Sequence, residues 1–420
     1  MDEWSTLEHR FHDAFAIPAP EDRLGLNWHT YWTILGPAQL CYGIFTLLVT
    51  LPHTRLLRAA LLPLALYLYF RAGTLLDVAK DMPVSDYTKE RLIHYNQGHL
   101  LTLFIMTCRT IAWTWPNKPY RRIDHKEPSR SLKRILLDAL DLSINVRGID
   151  WDWSAGLRLP PQTRTLHSRG IFLRETLVSA LFHAFIVDGL QTTIHALGLA
   201  SPAGGSIFDP ALPPFLRYAR STTLTTLTGL TVWAGLQASY DLCTLFGVGL
   251  LGQAPARWPP VFDRPWAATS VSAYWGVRWH QVLRDIFVSV GSRPLIHLLS
   301  NAMGPKLGKP LGMVGAYVVS GLLHDAGLWG QGRGRDPWRV VGFFVMSGGV
   351  GSLVEITIKR TTGKMVDGPL GWIWTMVWML GWGHLVTEAW LTRGLAGCIL
   401  IPDPLRPVPR MLSALKMVYN

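Results

Sequence analysis

The chain has 420 residues, 49% of them apolar and only 16% charged, with a formal net charge of +12. Soluble domains usually carry about 25% charge, so the length is not divided among two or three soluble domains. The composition also holds nineteen Trp and thirty-nine Gly, residues common at membrane interfaces and in spanning helices, and it points to an integral membrane protein. The positive charge is expected on loops that set topology and meet anionic head groups, which argues against a nucleic-acid partner.

Residues 1–29 read as a short soluble lead without a secretory signal, and the first span as an uncleaved anchor. A span needs roughly 20 apolar residues, and the first candidates are 31–51 and 56–76, joined by a turn at Pro52-His53. Asp77 to Arg91 is a polar loop with seven charged residues. A third span over 97–115 ends at Trp113 and Trp115, an interface anchor.

Residues 116–169 form the longest polar region. Its first part, Tyr120 to Arg134, is basic, as expected for a cytosolic face. Asn145 to Trp153 places an Arg, two Asp and two Trp around Gly148. This mix suits a structured loop, either one that shapes the entrance to a site, with Asp150 and Trp151 on it, or plain scaffold.

Residues 171–199 are apolar but hold Glu175, His183, Asp188 and His195. Ionisable groups at membrane depth usually face the protein interior or a cavity. Residues 200–221 are a Pro/Gly/Ser loop, 222–251 a long span holding Asp241, and 252–268 a loop rich in Pro and Trp. After a polar stretch from Thr269 to Phe287, residues 288–310 read as half apolar, half loop. Spans follow over 311–329, 340–358 and 370–392, the last with His384 and Glu388. Gly308, Gly312, Gly315 and Gly321 allow close helix approach. The expectation is an all-α polytopic membrane protein of roughly eight transmembrane helices, with one membrane domain over 30–400 and a tail over 401–420. Cys41, Cys108, Cys243 and Cys398 lack metal or redox spacing and read as small hydrophobes.

Two places carry the polar groups that chemistry needs. Thr269–Phe287 lies between long apolar regions yet holds Arg278, His280, Gln281, Arg284 and Asp285. Read as a helix, it sets Trp275, Trp279 and Val282 on one broad face, and His280 and Arg284 on a common side. Such rings bracket a ligand, and the cations suit phosphate. The alternative is an amphipathic interfacial helix. The second place is His324, near the end of the apolar run MVGAYVVSGLL and followed by Asp325. Burial favours a neutral imidazole, a base able to take a proton from an alcohol that attacks an acyl group. The bland reading is a satisfied core histidine. A triad with Ser320 is disfavoured, because Asp325 is adjacent to the histidine and not placed to orient it. The sequence shows no nucleophile elbow, P-loop, dinucleotide fingerprint or metal-spaced cluster. A transporter using Glu175, Asp188, Asp241 and Glu388 as a polar path is the competing class, although no internal repeat supports it.

The segments Tyr274-Trp275-Gly276-Val277-Arg278-Trp279-His280-Gln281, Val319-Ser320-Gly321-Leu322-Leu323-His324 and Arg147-Gly148-Ile149-Asp150-Trp151-Asp152-Trp153 together resemble the wax-synthase-like branch of the membrane-bound O-acyltransferase superfamily. The likeness is greatest to fungal members that acetylate terpenoid and meroterpenoid alcohols. Val277 departs from the pattern, where the branch often has Arg. The resemblance implies acyl transfer from acyl-CoA, acetyl-CoA in preference, to a hydrophobic alcohol in the bilayer, without a permanently bound cofactor or metal. It implies His324 as base and His280 as its positioning partner. Trp275, Arg278, Trp279, Gln281, Arg284, Asp150 and Trp151 would contact substrates, and the membrane would be that of the endoplasmic reticulum. A long-chain wax or sterol ester synthase is the alternative.

Overall fold

The structure, a computed structural model, describes residues 12–123, 131–154 and 157–419. Part of the soluble lead (1–11) and the middle of the basic stretch (124–130) lie outside the described residues. In chain order the main elements are β1 (Leu24–Gly25), α1 (Trp28–Thr50), α2 (Arg55–Leu75), β2 (Leu76–Asp77), α3 (Ile93–Thr114), α4 (Leu132–Ile144), α5 (Arg169–Ala196) and α6 (Pro214–Thr244). They continue with α7 (Arg293–Met303), α8 (Pro305–Gly330), α9 (Pro337–Thr362), α10 (Gly368–Leu391) and α11 (Pro407–Tyr419).

Among the described residues, five helices are long and apolar enough to cross a membrane: α1, α2, α5, α8 and α9. Three more are comparably long: α3 with 22 residues, α6 with 31 and α10 with 24. The fold is therefore mainly helical, as expected. One correction is a short parallel pair, β1 with β2, that pairs Leu24 with Leu76 and Gly25 with Asp77. A second is α4, a helix inside the region read as polar loop. A third is 288–310, which is helical almost throughout: a wide π-helical turn at Val288–Ser292 runs into α7 and then α8.

The chain divides into two compact units. The first comprises the chain up to Asn145 together with Leu323–Arg335. Here Asn27 starts α1, its side chain accepting from His29 N at 3.0 Å and Thr30 N at 3.1 Å. Arg109 on α3 is buried and caps α4, donating to the carbonyls of Leu142 at 2.7 Å and Ser143 at 3.0 Å. A guanidinium there completes carbonyls that the helix end leaves open and favours the negative end of its dipole. Its other face lies 4.4 Å from the ring centre of Trp113.

The second unit comprises Val146–Leu322 and Asp336–Asn420. Along α5, Leu177, Val178, Leu181, Phe182 and Phe185 are exposed, while Phe172, Thr176, Ala180, Val187 and Asp188 are buried. The exposed set recurs at helical spacing and forms an apolar stripe, the arrangement a lipid-facing helix requires. The glycine series serves close approach, since a Cβ on Gly312 would fall 2.5 Å from the backbone of Ile296 and one on Gly315 2.5 Å from the carbonyl oxygen of Gly291. The hairpin of α7 and the first part of α8 therefore packs backbone against backbone.

The ionisable groups within the apolar stretches are tied to loops and ends. Asp188 receives Arg406 Nε at 2.7 Å and Val408 N at 2.8 Å, which fixes the C-terminal segment. Glu388 accepts from Ser206 Oγ at 2.9 Å and Ile207 N at 2.8 Å. Glu175 accepts from Thr165 N at 2.8 Å, and Asp241 from Ser179 Oγ at 2.6 Å. His195 Nε2 donates to the Ala396 carbonyl at 2.8 Å, and His183 Nδ1 to that of Ser179 at 2.7 Å. All are hydrogen-bonded, with Asp188, Asp241 and Glu388 buried and Glu175, His183 and His195 half-buried. Replacing Asp188 by Ala removes the buried carboxylate nearest the Arg406 guanidinium, leaving it Thr192 and the more exposed Asp403, and is expected to cost about 3 kcal/mol. Thermal unfolding of the detergent-solubilised protein measures the loss, and limited proteolysis should find the segment after Cys398 cut sooner.

Candidate active site

Thr269–Phe287 is not the continuous helix its spacing suggests. Ser270 caps the start, its hydroxyl accepting from Ala273 N at 3.0 Å. A short helical turn, Val271–Ala273, widens into a π-helical turn over Tyr274–Arg278. At Trp279 the backbone turns extended, with ψ of 154°, and helix resumes only at Arg284. His280 therefore sits on irregular backbone, and the common side expected for His280 and Arg284 is lost.

Irregular backbone in an apolar setting persists only when its polar groups are satisfied by protein or water. Gln281 is buried, and its side-chain amide donates to the carbonyls of Trp275 at 2.9 Å and Trp279 at 2.8 Å. The amide proposed for substrate contact is thus engaged in holding the break. At the other end, the buried Glu355 of α9 accepts from Val271 N at 2.6 Å, Ser272 N at 3.0 Å and Trp374 Nε1 at 3.2 Å. Carboxylate oxygens satisfy two N–H groups that the first turn leaves open. The sequence reading missed Glu355. Its signal was a lone acid inside an apolar run, the same one that singled out Glu175 and Glu388.

The aromatic side chains of the segment form one cluster. Trp275 meets Tyr274, Trp279, Tyr317, Phe343 and Phe344 with ring centres 5.3 to 6.3 Å apart. Trp279 stacks on Tyr274 at 5.6 Å and receives the edge of Phe262 at 5.0 Å. Phe262 also meets the half-buried His280 ring at 5.8 Å. The Trp275 indole N–H is buried with no hydrogen-bond partner among the described residues. Arg278 Nη1 donates to the Asp263 carbonyl at 3.0 Å, and Asp263 N donates back to that of Arg278 at 3.0 Å. Arg284 is exposed.

The Arg147–Trp153 loop is structured. Gly148 holds φ of 68°, and a Cβ there would fall 2.5 Å from the Trp153 ring, so both backbone and space call for glycine. Trp151 is fully buried, and Asp150, itself at φ of 68°, receives Arg257 Nε at 2.9 Å. Arg147 is buried on neutral acceptors, and burial pushes its guanidinium down from its ordinary value, with Tyr240 beside it acting the other way.

His324 is half-buried on α8, beyond Leu322, where the helix passes from the second unit into the first. Asp325 is fully buried and binds Arg335 through Nη2 at 2.9 Å and Nε at 3.0 Å. Its carboxylate serves this ion pair. Around this end of α8, Gly327 and Gly330 let the helix lie against Gln97, Leu101 and Asn96 of α3. Among the described residues, no group of three or more His, Cys, Asp or Glu is arranged to hold a metal ion.

Residues 258–346 match the Membrane bound O-acyl transferase family. Both Tyr274–Gln281 and Val319–His324 lie inside that match, which bears out the resemblance read from them. Acyl-CoA–sterol O-acyltransferase 1 of Arabidopsis thaliana is 35% identical over 102 residues, 24% of this chain and 29% of that protein. The long-chain-alcohol O-fatty-acyltransferase of Simmondsia chinensis is 34% identical over 107 residues, 26% of this chain and 30% of that one. Acetyltransferase eriL of Hericium erinaceus is 22% identical over 232 residues, 53% of this chain and 57% of that protein. The match thus spans less than a third of the length of the two plant relatives and somewhat over half of the fungal one.

The geometry makes a prediction about Glu355. Substituting Gln places an N–H2 group against backbone N–H groups, and thermal unfolding should report a loss of about 1–3 kcal/mol.

Proposed function

We propose that the chain is an acyl-CoA-dependent O-acyltransferase of the wax-synthase-like branch, moving an acyl group onto the hydroxyl of a hydrophobic polycyclic alcohol, a terpenoid or meroterpenoid of secondary metabolism. The observation that carries this is the family match over 258–346, which contains both polar places picked out on chemical grounds. Acetyl is the favoured acyl group, because the fungal relative named an acetyltransferase matches 53% of the chain, against 24% and 26% for the plant enzymes. Eight spans are proposed, α3, α6 and α10 joining α1, α2, α5, α8 and α9, in the endoplasmic reticulum membrane.

In this reading His324 takes the hydroxyl proton as the alcohol oxygen attacks the thioester carbonyl. His280 donates a hydrogen bond to the oxygen on which charge develops. The intermediate collapses with cleavage of the C–S bond. The thiolate of CoA takes up the proton, and the ester leaves into the bilayer. No covalent enzyme intermediate is required. Trp275 and Trp279 supply apolar walls, the exposed Arg284 is the cation open to the phosphates of CoA, and Arg278 steadies the turn. Asp150 and Trp151 shape the loop beside it. The names of the plant relatives support a second reading, a wax or sterol ester synthase using long acyl chains.

The two readings separate in a matrix of acetyl-, butyryl- and palmitoyl-CoA against a sterol, a fatty alcohol and a polycyclic terpenoid alcohol. Mass spectrometry of the products should find acetyl ester of the polycyclic alcohol, with free CoA in equal amount. Palmitoyl ester of the fatty alcohol as the main product would favour the second reading. Solute movement without CoA release would indicate transport.

A further inference from the structure

Three consecutive carbonyls ahead of Phe262 are held from outside their own loop. Trp258 O accepts from Gln162 Nε2 at 3.2 Å and Arg164 Nη2 at 2.5 Å. Pro259 O accepts from Tyr240 Oη at 2.7 Å and Arg147 Nη1 at 3.0 Å, and Pro260 O from Arg147 Nη2 at 3.1 Å. Arg147 Nη1 also reaches Tyr240 Oη at 3.3 Å. Proline has no N–H, so the carbonyls are the backbone handles by which Pro259 and Pro260 can be fixed.

Resting on the acyl-transfer reading above, we propose that Arg147, with Tyr240, is a positioning residue for His280. The pair fixes Pro259 and Pro260, and through them the Phe262 ring against which the imidazole rests. Beyond Phe262, the Arg278 guanidinium donates to the Asp263 carbonyl and Asp263 N donates to the Arg278 carbonyl, which returns the loop to the turn that precedes His280. His280 lies on backbone without a helical ladder, its ring meets that of Phe262 edge-on at 5.8 Å, and Phe262 is buried enough to transmit a shift.

The choice of arginine follows from geometry. A planar guanidinium spans two carbonyls and a phenol at once, and an ammonium does not present that fork. Burying a cation on neutral acceptors is costly, and a carbonyl-binding role of this kind gives the charge a function. The loop that the sequence left as either the shaper of an entrance or plain scaffold thereby becomes the foot of the His280 platform.

The test uses the full-length protein in detergent, with Arg147→Met and the milder Tyr240→Phe, which removes one hydroxyl and keeps the ring. Modification of histidines by diethyl pyrocarbonate, followed by mass spectrometry, reports His280 without reference to activity. Both variants should raise the His280 rate, Arg147→Met by about tenfold, and leave the exposed His297 unchanged. In acyl transfer, Arg147→Met should lower kcat about a hundredfold with little change in KM for acetyl-CoA. It should lower kcat no further in a His280→Ala background, and Arg147→Lys should restore only part of the loss. Wild-type His280 labelling in both variants, or an equal loss of kcat in the His280→Ala background, would overturn the proposal. Should the wild type release no CoA, the acyl-transfer reading fails and the labelling alone decides the positioning. If Arg147→Met does not fold, Tyr240→Phe carries both arms.

Discussion

The organising constraint is the supply of hydrogen bonds to backbone that leaves the helix in an apolar environment. At Trp279 the chain turns extended, and the carbonyls of Trp275 and Trp279 are taken up by one buried amide, that of Gln281. Glu355 does the same for the N–H groups at the start of the segment. Lipid offers no such partners, and each unsatisfied group there costs several kcal/mol. A break of this kind therefore exists only because buried polar side chains have been placed to accept it. The break in turn frees His280 from the helical register and sets it among aromatic rings.

Other parts of the fold follow the same rule. Arg109 closes the end of α4, Asp188 holds the C-terminal segment, and Arg147 with Tyr240 fixes the proline pair. Most of these charged side chains bind backbone, and few line a path. The competing transporter reading took Glu175, Asp188, Asp241 and Glu388 as a polar path, and in the structure each of these carboxylates accepts hydrogen bonds that tie a loop, a helix or the C-terminal segment. The family match over 258–346 contains both His280 and His324.

Helix positions were largely legible in the sequence, because long apolar runs and their Pro- and Gly-rich separators mark spans directly. The glycine series Gly308, Gly312 and Gly315 was legible for the same reason, as small residues at helical spacing predict close approach. The break at Trp279 was not. No proline or glycine lies between Val277 and Ile286, so local propensity favours helix, and a side chain two residues on decides otherwise. Glu355 and Arg147 were hidden differently: each acts on residues far away in the chain, and spacing carries no trace of that. Gln281 carried a functional-looking pattern for a structural reason. Such errors are expected where a motif contains both the reacting group and what holds it.

His324 is proposed to remove the proton from an acceptor alcohol. The most direct measurement is single-turnover release of CoA from acetyl-CoA by purified His324→Ala, with a polycyclic terpenoid alcohol and the folded fraction set by thermal unfolding. Loss of a general base predicts a rate lower by about 10²–10⁴-fold with the fold intact. A folded His324→Ala protein that forms ester at the wild-type rate would contradict the account.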